Sequence, residues 1–382
     1  MRIIVGTSVA KYYRWPGAYD CRMAYVVGLA RLGHEVWLFD DSVKNCFDEN
    51  YQEVPFEQWE GRQRFEEITR RYEVWPRCFL AYRGGEATHG LSLRQAIDVA
   101  RDADLLVNIN GKLKHPDLLG SVACRAYVDE APAHTQVYHF EYHVDQGIDQ
   151  HEHFFTFGLN MGQPTCEVPM GGRRWYPFPV PVVLDHWPAA PDAGGRRFTT
   201  ISNWSGEPTF KLRGEYSGEK SDNWLRFIDL PKRTSQELEI ALNIDPGFAE
   251  DIARLQENGW ILTDPAQMRT QQDYRRYIAE SRAEFSVANN RYSRFRTGWV
   301  SDRSARYLAS GRPVLVQSTG AESFLPVGKG LLTFETTEEA AEKIKEINVD
   351  REAHGRAARA IAQEFFDAER VLSNMLKQIG MC

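Results

Sequence analysis

No cysteine pair in this chain stands at metal-ligand spacing. The six cysteines, at positions 21, 46, 78, 124, 166 and 382, are scattered, with no C-x-x-C. That argues against a zinc ribbon or a dithiol redox motif and for buried, reduced thiols in a cytoplasmic protein. No apolar run approaches 18 residues, so no transmembrane helix is expected, and Met1 to Gly6 reads as a strand start rather than a signal core. An excess of positive charge is missing too. Lys and Arg number 46 against 53 Asp and Glu, for a net charge of -7, which disfavours nonspecific binding to nucleic acid or an anionic membrane. The first strand is not followed by G-x-G-x-x-G, so a dinucleotide fingerprint is absent. His134, His139, His143, His151 and His153 cluster, but H-E-H at 151–153 is not H-E-x-x-H, and a loop or cleft-lining place is expected rather than a metal site.

What is present fits a soluble α/β enzyme. At 382 residues the chain exceeds what a single core fills, so two domains are expected. Aromatic residues make up 12 %, including 10 Trp, enough to line a small-molecule site as well as the core. Arg2 to Gly6 reads as a strand, Trp15-Pro16-Gly17 as a loop, Met23 to Leu32 as a helix, and Glu35 to Phe39 as a second strand. This is a βαβ unit whose helix start faces a cleft. Asn45 to Gly90 reads as an irregular, charged and aromatic insertion with one helix near Phe56 to Tyr72. Leu91 to Ala100 is a helix, and Asp104 to Ile109, Arg125 to Val128 and His153 to Phe157 are strands. Prolines from Pro177 to Pro191, followed by Ala193-Gly194-Gly195, mark a linker. A second strand–helix series runs from Arg197 to Phe334, and Glu338 to Ile347 and Arg356 to Lys377 read as closing helices.

The densest signal is Ser301 to Gln317, S-D-R-S-A-R-Y-L-A-S-G-R-P-V-L-V-Q. Ser301 caps a helix, Asp302 lies in its first turn, and Gly311 suits its left-handed end. Val314-Leu315-Val316 then reads as a strand covered on both faces. Arg291, Arg294 and Arg296 stand just upstream, and arginines before a helix N-terminus suit a phosphate.

G-A-Y-D-C-R-M-A-Y-V-V-G-L-A-R-L-G-H-E-V-W-L-F in the first half and Y-L-A-S-G-R-P-V-L-V-Q-S-T-G in the second resemble the GT-B glycosyltransferases of the retaining, family-four-like kind. W-x-S-x-R-S-x-x-Y-L-A-S-G-R-P-V is also similar to segments of bacterial glycosyltransferases. The resemblance implies two facing, doubly wound Rossmann-like domains with a cleft between them. The acceptor side is 1–190 and the nucleotide-sugar side 191–354, and a helix in 355–382 returns to the first domain. It implies transfer of a sugar from a nucleoside diphosphate sugar to an unknown acceptor (small molecule, natural product or glycan), with no metal and no cofactor beyond that co-substrate, and the net charge of -7 argues against a nucleic-acid partner. Lys211, Lys220, Arg296, Ser301, Asp302, Arg303, Thr319 and Gly320 are the expected donor-side residues. Trp15, Gly17 and His139 are the expected acceptor-side loop, and Asp129 the expected acid or base toward an acceptor hydroxyl. Gly298 and Arg306 stand where the family has two glutamates. A nucleotide-sugar epimerase of the same fold and a non-catalytic nucleotide-sugar binder are the alternatives.

Overall fold

Short apolar runs closed by glycine or a polar residue build two parallel sheets. The computed structural model describes residues 1–189 and 195–381. The domain boundary expected at 190/191, Ala193-Gly194 and Cys382 lie outside the described residues.

The first sheet holds β1 (Arg2–Gly6), β2 (Glu35–Val43), β3 (Cys78–Tyr82), β4 (Ala87–Gly90), β5 (Leu105–Ile109), β6 (Arg125–Asp129), β7 (His153–Thr156) and β8 (Trp175–Pro177). Their spatial order is β4-β3-β2-β1-β5-β6-β7-β8, parallel throughout except for the β3–β4 pair. Ile3, Ile4 and Val5 of β1 are fully buried, as expected of a central parallel strand covered on both faces. The second half contains β9 (Phe198–Asn203), the hairpin β10 (Lys211–Leu212) and β11 (Glu215–Tyr216), then β12 (Leu238–Asn243), β13 (Ile261–Thr263), β14 (Ala283–Ser286), β15 (Val314–Gln317) and β16 (Leu331–Phe334). Its six-stranded sheet has the order β13-β12-β9-β14-β15-β16. In both sheets the chain moves outward in one direction, returns, and moves outward in the other. The reversals fall between β1 and β5 and between β9 and β14. In open α/β sheets ligands bind outside the strand ends at such switch points.

The last helices tie the halves together. After Arg351–Ile361 the chain widens into a π-turn at Ala362–Phe366. Val182 N–H donates to Phe366 O at 2.7 Å, and Ala368 N–H to Val182 O at 2.9 Å. Helix Ala368–Gln378 then lies against helix Pro16–Arg31 so closely that a Cβ on Gly28 would stand 2.5 Å from Leu372 Cδ1. The single helix expected from Arg356 to Lys377 is therefore interrupted. Asp367 is extended, at φ -56° and ψ 123°, and its carboxylate accepts from Arg370 N–H at 3.0 Å, capping a new helix.

Two further expectations are corrected. Residues 45–90 are not merely irregular, because they add β3 and β4 to the sheet edge beside helix Glu60–Arg71. Pro177 onward is not an exposed linker at its start: Pro177 ends β8, and Phe178, Val180, Val182, Val183 and Trp187 are buried. The halves also meet at the loop after β7, where Gly158 bridges Trp299 and Asn160 N–H donates to Thr297 O at 3.0 Å. A left-handed Gly298, at φ 78°, makes this approach possible, since a Cβ there would lie 2.3 Å from Asn160 N.

Candidate active site

Ser301 is extended, at φ -62° and ψ 140°, and its hydroxyl accepts from Arg303 N–H at 3.2 Å at the start of helix Asp302–Ala309. Its capped end opens on a cavity of about 530 Å³. Ile201, Ser202 and Asn203 at the end of β9, and Asn243 at the end of β12, line the same cavity. This is the switch point of the second sheet, where free helix N–H groups and the helix dipole favour an anion.

Two cations meet there. Arg303 donates from Nε to Glu284 Oε1 at 2.6 Å, from Nη1 to Ile201 O at 2.6 Å and from Nη2 to Ser286 Oγ at 2.7 Å. Burial opposes its charge, and the fully buried Glu284 carboxylate more than restores it. The guanidinium is thus fixed in one orientation, as preorganised charge stabilisation requires. Lys220 opens helix Lys220–Arg226 and lines the cavity. Burial and then the charge of Arg303 pull its pKa down to about 7.

The opposite wall belongs to the first half. Trp15, 52 % exposed, precedes helix Pro16–Arg31, and Tyr12, Arg22 and Glu130 complete the wall. Glu130 follows β6, and its carboxylate accepts from Asn110 Nδ2 at 3.0 Å and faces Arg22 Nη2 at 3.5 Å. Burial raises its pKa, while the Arg22 charge works against the rise. A carboxylate raised in this way and open to a cavity suits proton transfer.

Arg306 joins the two walls. It is 2 % exposed and donates from Nη2 to Gly17 O at 2.7 Å and from Nη1 to Asp302 Oδ2 at 2.8 Å. Its Nε lies 3.5 Å from Asp20 of helix Pro16–Arg31. The buried Asp20 carboxylate also accepts from Tyr72 and Gln271, both at 2.7 Å, and from Arg275 at 3.3 Å. Burial alone would raise the Asp20 pKa, but Arg306 and Arg275 hold it below the ordinary carboxylate range.

A family model described as glycosyl transferase-like matches residues 257–377. Among solved structures, an alpha-glucosyltransferase in complex with UDP-glucose and DNA containing an abasic site aligns over 100 % of this chain and 99 % of its own, at 12 % identity and TM-score 0.61. Anabaena HepE in complex with UDP-glucose aligns over 100 % of both chains, at 13 % identity and TM-score 0.61. The fold is GT-B. No curated protein matches the sequence. The matched segment of this GT-B chain takes in Ser301, Asp302, Arg303 and Arg306 but not Lys220. Among the described residues, no group of three or more His, Cys, Asp and Glu converges on a metal position.

Of the residues expected from sequence, the GT-B cleft gathers Trp15, Gly17, Lys220, Ser301, Asp302 and Arg303. The others stand elsewhere. Asp129 is fully buried, and its carboxylate accepts from Ala131 N–H, Thr135 Oγ1, Gln136 Nε2 and Thr156 Oγ1. It braces the end of β6 and is held by these four bonds away from the cavity, whereas the neighbouring Glu130 lines it. Arg296 is paired with Glu322 at 2.9 Å and Glu335 at 3.4 Å, outside the cavity. Lys211 is exposed on the hairpin, where its backbone exchanges hydrogen bonds with the Tyr142 hydroxyl. Thr319 donates to Trp299 O at 2.8 Å, and Gly320 packs on Asn160, so both hold the junction of the halves rather than the cleft. His139 lies 3.3 Å from Asp149 in the first half's own loop cluster. Sequence reasoning missed Arg22, Glu130 and the Asp20–Arg306 bridge. The only signal for Glu130 was its place beside Asp129 at a strand end.

Proposed function

We propose that this protein is a glycosyltransferase that takes a sugar from a UDP-sugar, held mainly by the second half, and passes it to a hydroxyl of an acceptor held mainly by the first. The observation that carries this reading is the convergence of the Ser301-capped helix start, Arg303 and Lys220 on one cavity at the switch point of the second sheet. The structures of HepE and the alpha-glucosyltransferase, both with UDP-glucose, support uracil as the base.

In the transfer, the bond from the sugar C1 to the diphosphate oxygen breaks, and its electron pair leaves with the UDP. A new bond forms from C1 to the acceptor oxygen. The acceptor proton passes to Glu130, whose raised pKa lets it hold a proton until release. The helix dipole, Arg303 and Lys220 offset the charge that develops on the leaving diphosphate. Transfer therefore needs neither a metal ion nor a cofactor, and the rate should be unchanged by a chelator. The net charge of -7 favours an acceptor other than nucleic acid. Free thiols at Cys21, Cys46, Cys78, Cys124 and Cys166 favour a reducing, cytoplasmic setting.

The direct test is a thermal-shift panel of nucleoside diphosphates and their sugars, because a ligand of the native state alone raises stability by mass action. UDP and at least one UDP-sugar should raise Tm, and Arg303→Ala should shrink the shift at the same ligand concentration. A panel in which no nucleotide moves Tm overturns the donor assignment.

A further inference from the structure

The first sheet has a switch point of its own, between β1 and β5, and several cations stand around it. β1 and β5 pair as far as Gly6 and Asn108, so the loops that follow leave the sheet side by side. Lys11 stands on the β1 loop, and Lys112 and Lys114 on the β5 loop. Among the described residues none of these lysines is ion-paired. Arg22 projects from helix Pro16–Arg31 over the Tyr12 ring at 4.7 Å, lines the cleft, and keeps a buried Nε with no hydrogen-bond partner.

Asp40, Asp41 and Glu130 offset part of this charge, leaving Lys11, Lys112, Lys114 and Arg22 one cation in excess. Asp40 accepts the N–H groups of Val9 and Ala10 at 2.7 and 2.9 Å. Asp41 accepts those of Lys114 and His115 at 2.8 and 2.7 Å. Glu130 faces Arg22 Nη2 at 3.5 Å, accepts from Asn110, and also attracts the Lys112 ammonium. Burial, and then the charges of Arg22, Lys114 and Lys11, hold the Lys112 ammonium below the ordinary lysine value. Like charges gathered at a ligand-binding edge repel one another, and an arriving anion relieves that repulsion.

We propose that the switch point of the first sheet binds an anionic group of the acceptor, a phosphate or a carboxylate, through Lys11, Lys112 and Arg22, with the acceptor hydroxyl directed to Glu130. The inference rests on the glycosyltransferase reading and adds to it the chemical class of the acceptor. Arg22 and Glu130 line the cavity of about 530 Å³ whereas Lys11 and Lys112 stand outside its lining, so the acceptor's anion lies at the rim and its hydroxyl reaches inward. Discrimination comes from the anion, because a neutral sugar leaves the lysines unpaired.

The test uses the full chain with the donor site saturated by UDP, and titrates glucose 6-phosphate, glucuronate and glucose by calorimetry. At least one anionic probe should bind, with affinity falling as salt rises, and glucose should not. Lys11→Ala/Lys112→Ala should weaken the anion by about tenfold or more and leave UDP affinity within about twofold, since neither lysine touches the donor end. Lys345→Ala, on an exposed helix face, is the control for general charge loss. The phosphate and carboxylate arms identify which anion is read. Equal binding of glucose, anion binding untouched by the double variant, or binding of a short DNA duplex where both small anions fail would each overturn the proposal. Absence of UDP binding would overturn the donor reading instead. The anion arm, repeated without UDP, still decides this one.

Discussion

Replacing Arg306 with Met should loosen both the protein and its cleft. Methionine fills much of the same space but removes the guanidinium that touches Asp302 at 2.8 Å and Gly17 O at 2.7 Å. Asp20 would keep Tyr72, Gln271 and Arg275, so it is not left orphaned. The main loss is two hydrogen bonds from a charged donor, each about 1.5–3 kcal/mol, with the Gly17 carbonyl then facing a methyl group. Breaking a buried pair typically costs about 3–5 kcal/mol, and the bonds Asp20 retains place this case near the low end, about 3 kcal/mol. For domains of this size that corresponds to a fall in Tm of roughly 6–12 °C. Asp302 and Gly17 both line the cavity, so UDP affinity should fall as well. Arg306→Lys keeps the charge without the planar fork and should lie between the two. Calorimetry of wild type, Arg306→Met and Arg306→Lys, with and without UDP, measures both effects. An Arg306→Met protein within about 2 °C of wild type, binding UDP equally well, would refute the bridge.

Other outcomes follow from the same geometry. With Lys220 near pH 7 in the free protein, binding of a diphosphate leaves it charged below that pH and must recruit a proton above it. UDP affinity should therefore be flat below about pH 7 and fall by up to about tenfold per pH unit above it, as followed by calorimetry, with Lys220→Arg removing the slope. Glu130→Gln should keep UDP affinity and lower the rate of sugar transfer by about 10²-fold or more, read as product formed per enzyme at saturating donor. Gly298→Ala forces both a left-handed alanine and a 2.3 Å approach to Asn160 N, and should cost about 1–3 kcal/mol, seen in the urea midpoint.

The sequence made the donor wall legible because its signals are local. The Ser301 cap, the acidic first turn at Asp302, the stop at Gly311 and the apolar Val314-Leu315-Val316 lie within seventeen consecutive residues and depend on nothing distant. Parallel strands with uninterrupted apolar runs were visible for the same reason. The misses are residues whose fate is decided far along the chain. Arg296 looked like a phosphate ligand until Glu322 and Glu335 claimed it. Arg303 and Arg296 are indistinguishable by spacing, yet only Arg303 is turned into the cleft, by the buried Glu284 on β14. Asp129 and Glu130 are neighbours in sequence, but Thr135, Gln136 and Thr156 draw the first into the scaffold and leave the second at the cavity. β4, polar and at the sheet edge, carries no apolar pattern, so its pairing with β3 could not be read from residues 45–90.

Direct titration of UDP into wild type, Arg303→Ala and Lys220→Ala tests whether Arg303, Lys220 and the Ser301-capped helix form a diphosphate site. Wild type should bind UDP saturably and one-to-one, and each variant about tenfold or more weakly through loss of a charged hydrogen bond. Wild-type binding that neither substitution changes would contradict it.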